Sequence, residues 1–155
     1  MRIMILGIMV LFATGCATTN HSDITFEQAP APDTAASMSV IYFMRDNVNP
    51  SLRNPAILIN DQKIGGLPNN SFLWIKVTPG NKLINTKWSW DTGSDNDTVQ
   101  VDVRAGETYY LILKQTGQII STVPFANDSR FSSKFFQLNK NDAERYLAHL
   151  KYFSN

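Results

Sequence analysis

Few side chains in this sequence are of types that do chemistry, and their spacing limits what that chemistry is. Asp91, Asp95 and Asp97 cluster in one polar stretch, Asp91-Thr92-Gly93-Ser94-Asp95-Asn96-Asp97. Hydrolysis by a pair of carboxylates that share one proton is one use for such residues, and Asp91-Thr92-Gly93-Ser94 occurs once. The same carboxylates offer oxygen ligands to Ca²⁺, but without the regular one-three-five spacing and distal Glu of a dedicated loop. A solvated turn is the simpler reading. The two histidines, His21 and His149, stand near opposite ends of the chain, and Cys16 is the single cysteine. Neither a Ser-His-Asp set nor a tetrahedral zinc site follows from them. The expectation is no catalytic residue, no metal and no cofactor.

Aromatic side chains offer binding instead of catalysis. On a strand, alternate residues share a face, so Trp88 pairs with Trp90 and Phe72 with Trp74. A pair facing solvent forms a platform for stacking on sugar rings or anchoring a partner protein, whereas a pair facing inward is core. Leu73, Ile75 and Val77 already give their strand an apolar inward face. Phe72 and Trp74 are therefore the expected partner contact, unless a helix covers them.

The elements that must position these residues are short strands. Val40 to Met44 is a β-branched and aromatic run closed by Arg45-Asp46-Asn47. A second strand spans Ala56 to Asn60, and Asp61-Gln62 turns it into Lys63 to Gly66. Ser71 to Val77 alternates, and Thr78-Pro79-Gly80-Asn81 has Pro and Gly in the order of a type II turn. Lys82 to Trp90 is the next strand. Thr98 to Val103 alternates most clearly, with the valines inward and Gln100 and Asp102 outward. Ala105-Gly106 turns into Thr108 to Lys114, and Gln118 to Phe125 is read as a further strand. Asn141-Asp142-Ala143-Glu144 reads as a helix start, with Tyr146, Leu147, Leu150 and Phe153 on one face.

A chain of 155 residues with 43% apolar content is long enough for one packed domain. Arg2 is one of 14 basic residues against 13 acidic ones, so the chain without its first residues is near neutrality. No basic patch stands out, which argues against nucleic acid as a partner. Met1-Arg2, the apolar run Ile3 to Phe12 and the small residues Ala13-Thr14-Gly15 have the layout of a secretory signal. At about 1.5 Å per residue, that run as a helix reaches across roughly half of a ~30 Å hydrocarbon core. From Ala17 to about Ser37, Thr, Asn, Ser, Pro and Ala prevail, and Gln28-Ala29-Pro30-Ala31-Pro32 cannot form a regular helix. This stretch reads as a tether on which Ile24 and Phe26 are positioned to dock.

Phe12-Ala13-Thr14-Gly15-Cys16 resembles the lipobox of bacterial lipoproteins, with Ala13 where Leu is usual. The resemblance implies cleavage before Cys16 and acylation of that residue. Two or more acyl chains make a stable anchor where one is marginal. Ala17 after the cysteine implies sorting to the outer membrane if the source has two membranes. Ala56 to Gly65, Leu67-Pro68, Ser71-Phe72 and Val77 to Gly80 resemble PEGA-type domains. They are still more similar to an uncharacterised bacterial lipoprotein family, a domain of unknown function, whose later strand resembles Ala105 to Leu111. That similarity covers roughly Ser39 to Leu113 and implies a β-sandwich with no reaction attached. Asn60 and Asn81 depart from the residues usual there. Asp91 to Ser94 resembles the aspartic protease tetrapeptide, without the context that makes it functional.

The sequence thus predicts a mainly β chain: an antiparallel β-sandwich of about seven or eight strands with a C-terminal α-helix. Residues 1–15 are read as signal peptide, 16–37 as lipidated terminus and tether, and 38–155 as the domain. The expected function is a non-enzymatic binding or scaffold module in the cell envelope, anchored in the lipid bilayer through Cys16 and contacting an envelope protein. The alternative is glycan or peptidoglycan binding by aromatic stacking, and a hydrolase is a distant third.

Overall fold

In the computed structural model, residues 25–33, 35–47, 52–92, 94–119 and 129–154 are described. The first element, β1 (Ser39–Arg45), is buried along its whole length. Its unbroken apolar run is what a strand covered on both faces requires. It lies in the middle of a six-stranded sheet of order β10-β4-β1-β8-β9-β6. The members are β4 (Ser71–Val77), β6 (Ser94–Asp95), β8 (Thr108–Ile119), β9 (Ser129–Leu138) and β10 (Lys151–Tyr152). A four-stranded sheet of order β3-β2-β5-β7 faces it, built from β2 (Ala56–Ile59), β3 (Gln62–Gly66), β5 (Gly80–Lys87) and β7 (Thr98–Val103). The chain is mainly β, a two-sheet sandwich with one helix among the described residues, α1 (Lys140–Leu147).

Alternation along β1 feeds two cores. Ile41 and Phe43 point between the sheets, where they meet Ile57, Ile84, Val101 and Leu111. Val40, Tyr42 and Met44 point the other way, onto Ala143 and Leu147 of α1 and onto Leu150. The valines of β7 face inward while Gln100 and Asp102 are exposed, as its alternation predicts. Gly80 has φ +107°, the left-handed conformation that the predicted Pro-Gly turn needs at that position.

Several expectations are corrected in detail. Pairing within the sandwich is mixed: β1 is antiparallel to β4 but parallel to β8, and β10 and β6 are also parallel to their neighbours. The β2–β3 turn is Asn60-Asp61, both at positive φ, one residue earlier than read. Asn and Asp tolerate that conformation better than other non-glycine residues. Strand β8 continues through Ile119, so Gln115 to Gly117 make no break, and β9 pairs with it over ten residues. The rest of the strand read at Gln118 to Phe125 lies outside the described residues. The helix begins two residues early: Asn139 is its cap, its side chain accepting from the Asp142 N–H at 2.9 Å. It ends at Leu147, so Phe153 is not on its face but follows β10.

Candidate binding surfaces

The outward face of β1 and β4 carries Tyr42, Phe72 and Trp74, and α1 covers only part of it. Phe72 is completely buried. The expectation that it meets a partner directly is corrected by what lies over it. Tyr152 packs at 5.5 Å and Phe26 edge-on at 5.8 Å, with Leu147 and Leu150 in the same cluster. Trp74 remains half-buried, stacked on Tyr152 at 6.5 Å.

Phe26 belongs to the segment read as tether. Residues 25–29 form one turn, with the N–H groups of Gln28 and Ala29 donating to the Thr25 carbonyl. Thr25 also bridges to Lys151 at the sheet edge. The turn sets Phe26 against both Tyr42 and Phe72. Beyond it, Pro30 to Pro32 run beside a recess of 160 Å³ whose other walls are Tyr42, Phe72 and Trp74. The Trp74 Nε1–H is shielded from solvent and has no hydrogen-bond partner among the described residues. An unpaired buried donor is costly. Burial, followed by the neighbouring Tyr110 and Tyr152, pushes the Tyr42 phenol up to about 12.

At the other side of the molecule the two remaining tryptophans part company. Strand β5 stops at Lys87, and a 3₁₀ turn at Trp90–Thr92 follows. Thr92 pins that turn, its N–H and Oγ–H both donating to the Ser89 carbonyl. Trp88 therefore points inward, its Nε1–H donating to Ser133 Oγ at 3.0 Å, while Trp90 is 96% exposed. Arg45, in phase with Ile41 and Phe43, is fully buried and lies over the Trp88 ring at 5.0 Å. Its guanidinium donates to the carbonyls of Arg53 at 2.7 Å and Leu67 at 3.1 Å. Burial lowers its pKa to about 10. Sequence reading took Arg45 only as the strand's end. The available signal was its phase, two residues after Phe43.

The polar loop is occupied with structure. Asp97 Oδ2 accepts from the Phe135 N–H at 2.7 Å, and the Asp97 N–H donates to Thr86 Oγ1. Asn96 Oδ1 accepts from the Trp88 N–H, and the Asp95 carbonyl from Ser133 Oγ. These bonds tie β5 and β9 to the loop between them. No cluster of three or more His, Cys, Asp or Glu able to hold a metal occurs among the described residues. His149 is exposed on the turn after α1, with Nε2 at 3.4 Å from Asp46 Oδ1. Cys16, His21, Ile24 and the whole leader lie outside the described residues. Among those described, no helix is long and apolar enough to cross a membrane.

No curated protein and no solved structure matches the chain. A family model described as protein of unknown function (DUF2846) matches residues 35–124, from just before β1 to beyond the end of β8. By that match, which takes in the four-stranded sheet and strands β1, β4, β6 and β8 of the other, the chain belongs to the DUF2846 family.

Proposed function

We propose that this chain is a lipoprotein of the bacterial cell envelope, anchored through acylated Cys16, whose domain binds an envelope protein and carries out no reaction. The observation that carries the reading is the aromatic groove of the β1–β4 face. A proline-bearing stretch of the chain's own tether already lies along it, with Trp74, whose buried indole N–H has no partner among the described residues, in the wall. Aromatic grooves of this kind suit extended, proline-containing backbone, which loses little entropy on docking. Trp74 is then the contact residue. Phe72 lines the same recess. The docking of Thr25 and Phe26 also sets where the tether leaves the domain, nine residues after Cys16.

Two variants of the full chain test this. Cys16→Ser should shift the protein from the membrane fraction to the soluble fraction, and unchanged membrane association would remove the lipid anchor from the account. Trp74→Ala should abolish co-purification of a specific envelope protein while the far-ultraviolet dichroism stays native. Retention of every co-purifying protein would show that the groove is not the contact.

A further inference from the structure

We propose that a second surface, on the outward face of the four-stranded sheet, binds an anionic carbohydrate, with Trp90 as stacking platform and Lys63 and Lys87 as charge partners. The register places Ala56, Lys63 and Lys87 on that outward face: Lys87 stands opposite Ala56, and Lys63 opposite Leu58. Together with Arg53, Asn54, Trp88, Ser89 and Trp90 they line an open recess of 760 Å³. That size lies within the ~300–1,000 Å³ typical of ligand sites. No Asp or Glu is among the described lining residues, so the recess carries a local excess of positive charge in a chain close to neutral.

Three features favour a charged sugar over other anions. Ala56 contributes a small side chain to the lining and Trp90 a fully presented indole, which together suit a flat ring face. Asn54 and Ser89 also line the recess and supply hydrogen-bonding groups of the kind sugar hydroxyls need. The 3₁₀ turn, pinned by Thr92, also fixes the backbone at Trp90, which limits the entropy lost on binding. This surface lies on the opposite side of the sandwich from the tether groove, and the inference does not depend on the protein-partner reading.

The test uses the full chain in non-ionic detergent micelles, with polygalacturonate as the carboxylated probe and dextran as the uncharged one. Polygalacturonate should bind and shift the tryptophan emission, with affinity falling as salt rises, while dextran should not bind. Trp90→Ala should weaken binding by about tenfold, the scale of one aromatic stacking contact. The pair Lys63→Glu/Lys87→Glu should abolish it. The pair Lys76→Glu/Lys134→Glu, with the same charge change at exposed sites elsewhere, should leave it intact. All four lysines and Trp90 are exposed, so the variants retain the fold. Failure of polygalacturonate to bind would overturn the proposal, as would equal loss in both lysine pairs. A response to anionic phospholipid doped into the micelles, with none to the polysaccharide, would overturn it in favour of a membrane-facing surface.

Discussion

Arg45 is a fully buried cation placed between two sheets, held by two backbone carbonyls and the Trp88 ring. Truncating it leaves those carbonyls without their donors and opens a cavity beside Trp88. Arg45→Ala should therefore cost about 3 kcal/mol by urea unfolding. Arg45→Lys should recover only part of that, because a point charge cannot reproduce the planar fork. Tyr42 gives a pH signature. Its folded pKa, about 12, lies above the ordinary value of 10.0, so the fold holds the proton that the unfolded chain releases. Stability is unaffected below pH 10 and falls as pH rises from there toward 12. Tyr42→Phe keeps the stacking against Tyr110 and removes this loss, so its urea midpoint should decline less between pH 10 and 12 than that of the unaltered protein. Arg45 acts in the opposite sense, since its folded pKa is lowered and the unfolded chain binds the proton more tightly at high pH. The gentler decline in Tyr42→Phe should therefore also appear in an Arg45→Met background.

At the scale of elements, an unbroken apolar run made β1 legible, and alternation made β4 and β7 legible through Leu73, Ile75 and Val77 and through Val99, Val101 and Val103. Strand β9 was not legible. Its inward positions include Ser133, which is buried because its hydroxyl serves the Trp88 indole and the Asp95 carbonyl. A polar residue recruited for a hydrogen bond erases the hydrophobic period. The same applies to the extension of β8 through Gly117, which looks like a turn. There the Phe131 ring on β9 fills the space that a side chain would take, and a Cβ at position 117 would collide with the ring carbons. Gly117→Ala should displace that ring and cost about 1–2 kcal/mol, with faster amide exchange along β8 and β9 as the local readout. The helix was legible in type but not in start. Asn139 and Asn141 both suit a cap, and the bond to the Asp142 N–H selects Asn139. Asn139→Ala should cost about 1 kcal/mol, and Asn141→Ala much less.

For the molecule as a whole, the two-sheet sandwich with a terminal helix followed from strand spacing and turn chemistry. What covers the β1–β4 face was legible only in part: docking of Phe26 was expected, but its partners Tyr42 and Phe72, and the pairing of Tyr152 with Trp74, depend on contacts between distant segments. The candidate contact was half legible for the same reason. Trp74 keeps an accessible edge, whereas Phe72 disappears under residues from both ends of the chain. The tether residue Phe26 is thereby part of the fold. Phe26→Ala should destabilise the domain by about 1–2 kcal/mol, below the cost for a fully buried ring, and increase amide exchange over residues 25–33.

The central claim is that the groove at Trp74 meets another protein in the envelope. A photoreactive aromatic amino acid at position 74 of the full chain, activated in living cells and followed by mass spectrometry, tests it most directly. The account predicts a discrete adduct with an envelope protein in the membrane fraction. An adduct confined to the chain's own residues 26–32, or none from a natively folded domain, would contradict it and leave the tether as the permanent occupant of the groove.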